Sequence, residues 1–422
     1  MKGLLLASKF ASVMSSVGGI LLAVVILLAM VTIHEFGHYV AGKLLGFKIT
    51  EFSVGFGPAL FKKRSKKTGE LFALRVVPLG GYCAFAGEDE YEDEGEEAEK
   101  PSEAAKEPFE EAVTPVEEAE TEQAETPKEE EYPEPQGVDF NDQPPWKRII
   151  VLIAGATMNY LLALLLLVVM FTAVGRPQYE VAATMADLQE TVAATTAVTT
   201  VSDGEELKKG DRISEINGKT VFLVTDYIDA LEGKKTGEKV KIKLLRDTDG
   251  DGKKEEITLR FALQADGKFK GMSDGSKVCQ MLGVGALSMT PTKHGFFDSL
   301  GNAFVYSWKL GGMVLRSFGE LLTGGLKVTD MGGPVTTITV TAQAAASGAF
   351  SFLNTAGLIG VNLAVFNLLP IPALDGSKVI FCIIEWIRKK PINRKVETWI
   401  HFAGIIALFG FAILVDLLHL FV

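Results

Sequence analysis

The residues with the clearest chemical potential are His34, Glu35 and His38, which form the pattern His-Glu-x-x-His. On a helix, positions four apart lie on one face, one turn apart, so both imidazoles can bind the same metal ion. Two imidazoles at this spacing are typical zinc ligands, and the glutamate beside the first one is typical of a general base acting on a water molecule. Because five-residue patterns also arise by chance, the segment that carries this one matters.

That segment is apolar and long enough to cross a membrane. Residues 11–33 contain no charged side chain over 23 positions, and a bilayer span needs about 20 residues. The stretch is too long for a secretory signal peptide and no small-residue cleavage site closes it. A carboxylate at membrane depth is costly unless it faces a polar cavity or a metal, which favours a functional site. The alternative is that the helix ends near Ile33 and the cluster lies in water.

A catalytic zinc needs three protein ligands and one open position, so a third ligand must come from elsewhere. The candidates are Glu51, Asp375, Glu385, His401, Asp416 and His419. Asp375 is favoured because it ends the uncharged stretch 331–374 and follows Pro370 and Pro372, which interrupt a helix. Its alternative role is to cap the helix that resumes there. His401 and His419 are expected near the ends of the last helix.

The charge of the chain is concentrated in one segment. The 422 residues carry a net charge of −11, yet residues 88–135 hold 22 acidic residues against 3 Lys, so the rest of the chain is basic by +8. Residues 88–145 repeat Glu, Ala, Pro and Thr without apolar periodicity, which predicts a disordered loop. The loop is either a solvated spacer or a docking tail for a basic partner.

Four membrane-spanning helices are predicted, and the uncharged runs 11–33, 149–175 and 331–374 exclude a soluble single domain. Basic clusters at 62–67, 147–148 and 388–395 would then share one side, which the positive-inside rule makes cytoplasmic. The acidic insert is therefore expected in the cytoplasm of a bacterial-type cell and the region 176–348 outside its plasma membrane.

Two regions read as β-structure. Alternating runs at 50–56 and 71–77 predict a hairpin. Its edge could accept an extended peptide as an added strand, or its glycines could serve only to form turns. Between Leu207 and Gly218, the pattern Leu-x-x-Gly-Asp-x-Ile-x-x-Ile-Asn-Gly resembles PDZ domains, and a helix at 224–231 is expected to follow. Asp247 starts a calcium-like loop, but Thr258 stands where a bidentate Glu is needed, so no calcium is predicted.

The predicted fold is a polytopic α-helical membrane protein with four transmembrane helices, a membrane-associated β-hairpin and an extracytoplasmic PDZ-like α+β domain. The expected segments are the first transmembrane helix (1–46), the hairpin (47–87), the acidic insert (88–145), the second transmembrane helix (146–176), the PDZ-like domain (178–285), an amphipathic interfacial segment (290–350), the third transmembrane helix (352–387) and the fourth (397–422). The expected partners are the lipid bilayer and a membrane-spanning protein or peptide, with no nucleic acid.

His-Glu-Phe-Gly-His in a first membrane helix, a PDZ-like domain, and Asn-Leu-Leu-Pro-Ile-Pro-Ala-Leu-Asp-Gly at 367–376 together resemble the site-2 protease family. The likeness is to its bacterial PDZ-containing regulators of intramembrane proteolysis, and it covers nearly the whole chain except the acidic insert. The chain departs from the family pattern at Ala156, where Pro is common, and at Ser377, where Gly is common.

The resemblance implies a zinc metalloendopeptidase that cleaves transmembrane segments of single-span proteins, of the anti-sigma factor or signal-peptide type. It implies zinc held by His34, His38 and Asp375, Glu35 as the catalytic base, and Asn367 as a substrate-binding residue or as a helix–helix hydrogen-bonding group. Two rival functions are a non-catalytic PDZ membrane scaffold, which would leave the His-Glu cluster without purpose, and a zinc transporter, which would need no peptide-binding domain.

Overall fold

A computed structural model describes residues 2–88, 132–185, 187, 206–250, 252–269, 271 and 274–421. The helices are α1 (Lys2–Leu45), α2 (Pro145–Val169), α3 (Val224–Leu231), α4 (Gly275–Met281), α5 (Phe296–Thr323), α6 (Pro334–Ala346), α7 (Ala349–Leu368), α8 (Asp375–Arg388) and α9 (Arg394–Phe421). The strands are β1 (Ile49–Arg64), β2 (Leu71–Phe85), β3 (Arg176–Thr184), β4 (Arg212–Ile216), β5 (Lys219–Thr220), β6 (Lys239–Arg246), β7 (Glu255–Ala262) and β8 (Val284–Thr292). Most of the predicted acidic insert, residues 89–131, lies outside the described residues.

Within the described chain, four helices are long and apolar enough to span a bilayer: Val17–Leu45, Pro145–Val174, Ala349–Leu368 and Arg394–His419. They confirm the prediction of a multi-pass membrane protein. The predicted third helix consists of two, α7 and α8, because the prolines at 370 and 372 lack the N–H groups that a continuous helix needs. The break falls where the sequence predicted it.

Small residues bring the membrane helices close together. A Cβ atom at Gly37 of α1 would lie 2.5 Å from the Ala154 carbonyl oxygen of α2, and one at Gly360 of α7 would lie 2.8 Å from the Ala163 Cβ. Close approach through Gly and Ala is how helices associate in lipid, where apolar side chains gain little by leaving the solvent. α2 therefore lies between α1 and α7, with Ala163 fully buried.

The strands β1 and β2 form the predicted hairpin but are much longer than the predicted runs, at 16 and 15 residues. Both strands bend, so that residues 51–54 of β1 pair with two segments of β2, residues 71–74 on one side and residues 81–84 on the other. Glu51, for example, has both Leu71 and Ala84 as partners. Gly55 and Gly80 adopt φ of 86° and 94°, which only glycine accepts easily and which permit these bends. The strand length is set by pairing between segments that are distant in the sequence, and local residue patterns do not reveal such pairing.

A second sheet has the strand order β7-β6-β4-β3-β8, with β5 paired to β4. The turn between β4 and β5 is Asn217-Gly218, both with positive φ as a tight hairpin turn requires, and helix α3 has the predicted bounds. The sheet and its helices enclose their own apolar core, which includes Ile213, Tyr227 and Leu244.

Helix α5 is amphipathic, as predicted for this region. Ala303, Tyr306 and Leu310 are buried against α2 and α7, whereas Phe297 and Trp308 are exposed. Lys309 of α5 also donates to the Asp226 carboxylate of α3 at 2.8 Å. α5 thus joins the second sheet to the membrane helices.

One end of the helix bundle carries a buried ionic cluster. Glu385 of α8 pairs with Arg148 of α2 and with Arg394 of α9, whose guanidinium lies 3.1 Å from it. Two of the three basic clusters in the sequence therefore lie at the same end of the bundle, in line with the predicted common side. Phe140 is also buried here, so packed structure begins before α2, inside the stretch predicted as a disordered loop.

Candidate metal centre

The two histidines of α1 are seated directly against α2. A Cβ atom at Gly155 would overlap His38 Nε2 and lie 2.8 Å from His34 Cε1, so only glycine leaves room for the imidazoles. The His38 Nδ1 atom donates to the Val151 carbonyl oxygen at 2.8 Å. That bond puts the proton on Nδ1 and leaves Nε2 with a free lone pair for a metal, the usual arrangement of a metal-binding histidine.

Asp375 reaches this pair from the break between α7 and α8. Its Oδ2 atom lies 3.1 Å from His34 Nε2 and 3.3 Å from His38 Nε2. The N-cap of α8 is Leu374, so Asp375 is the first helical residue and does not occupy the cap position considered from the sequence. A Cβ atom at Gly376 would overlap the Leu369 carbonyl oxygen, so the glycine allows the tight turn that delivers the aspartate.

The spacing of these atoms fits zinc. His34 Nε2 and His38 Nε2 are 3.2 Å apart, which closes a triangle with sides of 3.1–3.3 Å. In a tetrahedral zinc site with bonds of about 2.0–2.1 Å, two ligand atoms lie roughly 3.3–3.4 Å apart. The Oδ2 atom of Asp375 is also buried without a hydrogen-bond partner, which a cation would supply. Three corners of a tetrahedron are present, and the fourth is the position that a catalytic zinc keeps open.

Glu35 lies between this triangle and the hairpin. Its carboxylate is near enough to interact electrostatically with both histidines and with Asp375. A Cβ atom at Gly81 would lie 3.2 Å from Glu35 Cγ. The second half of β2 therefore runs directly past the side chain predicted to act as the base.

The remaining candidates for a third ligand are engaged elsewhere. Glu51 pairs with Arg75 at 2.7 Å, Glu385 belongs to the ionic cluster, and Asp416 accepts the Val335 N–H at the start of α6 at 2.9 Å. His419 donates within its own helix to the Val415 carbonyl oxygen, and His401 accepts the Ala373 N–H.

Two asparagines, Asn159 and Asn367, lie near the outer nitrogen of His34, and a role was predicted only for Asn367. The Nδ2 atoms of Asn159 and Asn367 lie 3.3 and 3.5 Å from His34 Nδ1. If His34 Nε2 binds zinc, Nδ1 carries the proton and needs an acceptor. The Asn159 Oδ1 atom is buried without a partner, and turning this amide by 180° would present it to Nδ1. The sequence did contain a signal for the role of Asn159, because it is the only asparagine in the uncharged run 149–175, where a polar side chain needs a partner.

Comparison with known proteins identifies the family of this chain. The sequence model of peptidase family M50 matches residues 22–411. The chain is 28% identical to the zinc metalloprotease RasP of Bacillus licheniformis, covering 89% of this chain and 92% of that protein. It is 28% identical to the regulator of sigma-W protease RasP of Bacillus subtilis, covering 90% and 93%, and 25% identical to the zinc metalloprotease RasP of Geobacillus kaustophilus, covering 90% and 92%.

These matches confirm the predictions of a family, of an enzyme and of a zinc cofactor. The family match spans most of the chain, and the protein therefore belongs to peptidase family M50, the site-2 protease family of zinc metalloproteases.

Proposed function

We propose that this protein cleaves the transmembrane segments of single-span membrane proteins, with the metal centre inside the bilayer. The observation that carries the proposal is the triangle of His34, His38 and Asp375. The two histidines lie inside the candidate membrane span Val17–Leu45, and Asp375 follows seven residues after the candidate span Ala349–Leu368. A hydrolytic site at this depth is useful for a substrate whose scissile bond also lies in the membrane.

In the proposed mechanism, His34, His38 and Asp375 hold the zinc. Bound zinc supplies a water of lowered pKa and a Lewis acid for the scissile carbonyl. Glu35 takes the proton of the attacking water and returns it to the leaving amine, the two-way use of a single positioned carboxylate. The packing of Glu35 Cγ against Gly81 of β2 supports this role, because it helps to hold the side chain beside the ligands.

The substrate must be extended before it can react, since a helix hides its carbonyl groups in hydrogen bonds. We infer that β2 holds the unwound segment by strand addition, supported by the contact between Gly81 and Glu35. Asn367 is half-buried and lies at the centre, which supports contact with substrate, whereas Asn159 is 1% exposed and is better suited to orient His34.

We assign the domain of β3 to β8 as PDZ-like and extracytoplasmic, with the ionic cluster and the acidic insert on the cytoplasmic side. The assignment is supported by the Asn217-Gly218 turn and the helix α3 that follow this domain's sequence pattern. It is also supported by the joint location of the basic clusters 147–148 and 388–395. The domain would admit substrates whose outer part has been trimmed. A variant without it that still discriminates trimmed from intact substrates would contradict this role.

The substrates are proposed to be regulatory membrane proteins of the anti-sigma factor type or leftover signal peptides. The name of the Bacillus subtilis relative, a regulator of sigma-W protease, supports the first class.

The decisive experiment compares wild-type protein with Glu35→Gln in detergent. A tagged single-span protein is the substrate, and bound zinc is measured on the same samples. Loss of the base with the ligands intact should lower cleavage by at least about 100-fold, while zinc remains near one per chain.

The same measurement separates the rival functions. Cleavage by neither form would favour a scaffold, and zinc flux across vesicles without cleavage would favour a transporter. Cleavage by Glu35→Gln at the wild-type rate would refute the proposed mechanism.

A further inference from the structure

We propose that His401 of α9 is a positioning residue that fixes the helix break carrying Asp375, and thereby sets the affinity for zinc. The inference rests on the proposed function for its effect on cleavage, but its effect on metal binding stands on the geometry alone. The sequence suggested only that His401 lies near the end of a helix or is a candidate ligand.

The break between α7 and α8 is held by few backbone hydrogen bonds. Pro370 and Pro372 have no N–H to donate, and the amides of Ile371 and Leu374 bond within the break itself, to Leu369 and Ile371. These internal bonds shape the turn. They do not fix its position relative to α1, which carries the two histidines.

Ala373 is the residue of the break that forms a hydrogen bond with helix α9. Its N–H donates to His401 Nδ1 at 3.2 Å, two residues before Asp375. Ala373 has φ of 82°, a left-handed conformation that alanine rarely adopts and that persists only where the surroundings enforce it. A hydrogen bond from α9 at this residue supplies such an enforcement.

The neighbouring contacts keep the imidazole in place. A Cβ atom at Gly404, one turn further along α9, would lie 2.7 Å from the Pro372 carbonyl, so α9 packs tightly on the break. The His401 ring also meets the Phe381 ring of α8 edge to face, with centroids 5.7 Å apart. His401 therefore contacts both sides of the break: its Nδ1 atom accepts the Ala373 N–H, and its ring packs on Phe381 of α8, the helix that begins at Asp375.

Two substitutions separate the hydrogen bond from the ring packing. His401→Phe keeps a ring against Phe381 but removes the acceptor, whereas His401→Asn keeps an acceptor oxygen near the position of Nδ1 but removes the ring. The matched control is His419→Phe on the same helix, where the imidazole bonds to its own helix at Val415.

The readouts are the zinc dissociation constant, from competition with a chelator, and the absorption spectrum of the cobalt-substituted protein. We expect His401→Phe to weaken zinc binding by about 10-fold to 100-fold, as loss of a partner outside the ligand set typically does. Its cobalt spectrum should shift, and kcat should fall with little change in KM. His401→Asn should stay within about threefold of wild type, and His419→Phe should match wild type.

Wild-type zinc affinity in His401→Phe would overturn the proposal, and so would a larger loss in His401→Asn than in His401→Phe, which would assign His401 to packing. Thermal unfolding of each variant identifies any that does not fold. If His401→Phe binds zinc more weakly but the wild-type protein cleaves no substrate, the positioning role is supported and the proposed function is contradicted.

Discussion

Helices α2 and α9 both flank the candidate metal centre, but they are held in different ways. In the most apolar stretch of α2, 33% of the residues are buried, against 6% in α9. α2 lies between α1 and α7 through Gly and Ala contacts along its length. α9 is attached at separate points: Arg394 at its start, His401 and Gly404 in its middle, and Asp416 near its end.

Between these attachments lies an apolar cavity of about 560 Å³, bounded by α9, the end of α5 and the break beside Pro372. The two kinds of proposed zinc ligand therefore have different supports. The histidines rest on a closely packed helix pair, whereas the aspartate rests on a break supported by a helix with few contacts. A substitution that overpacks α2 against the histidines should therefore disturb metal binding far more than a substitution in α9 away from the break.

The largest effect is expected for Gly155→Ala in α2. The added methyl group would overlap His38 Nε2, so zinc binding should weaken by about 100-fold and cleavage should be lost. Overpacking should also cost about 1–3 kcal/mol of unfolding free energy. Zinc competition and thermal unfolding in detergent measure the two quantities.

Its matched control is Gly410→Ala in α9, where a Cβ atom would meet nothing within 4 Å. That variant should keep wild-type zinc affinity. Equal losses in the two variants would remove the proposed difference between α2 and α9.

The next effect, on stability and not on zinc binding, is expected where α2, α8 and α9 meet. Glu385→Gln leaves Arg148 buried without its carboxylate partner, and breaking one side of a buried pair costs about 3 kcal/mol. The thermal unfolding midpoint should fall clearly. Glu238→Gln, which removes an exposed partner of Lys234, should leave the midpoint unchanged. A midpoint unaffected by Glu385→Gln would show that the cluster does not join the helices.

The smallest effect is expected for Asp416→Ala. The Asp416 carboxylate accepts the Val335 and Thr336 N–H groups at the start of α6, at 2.9 and 3.2 Å. Losing this cap should cost about 1–2 kcal/mol, measured as a shift in thermal unfolding. Zinc affinity should not change, because the contact is remote from the break. A drop in zinc affinity would mean that α9 transmits strain along its whole length to the centre.

Much of the fold follows from local patterns. Apolar length predicted the four spans, the prolines predicted the break between α7 and α8, and Asn217-Gly218 predicted the turn in the second sheet. The hairpin was underestimated because its strand length depends on pairing between distant segments. The buried Phe140 was missed because its stretch shares the composition of the acidic insert before it.

The sequence by itself determined which chemistry is possible: imidazoles at helical spacing in an apolar segment, a carboxylate beside the first, and an aspartate after two prolines. Such features are local, since residue type, spacing and hydropathy act within a few turns of chain. Only the tertiary structure decided that Asp375 meets His34 and His38, that Asn159 stands behind His34, and that His401 holds Ala373. These contacts join residues that are up to 341 positions apart, as His34 and Asp375 are, and depend on how closely glycines let the helices approach.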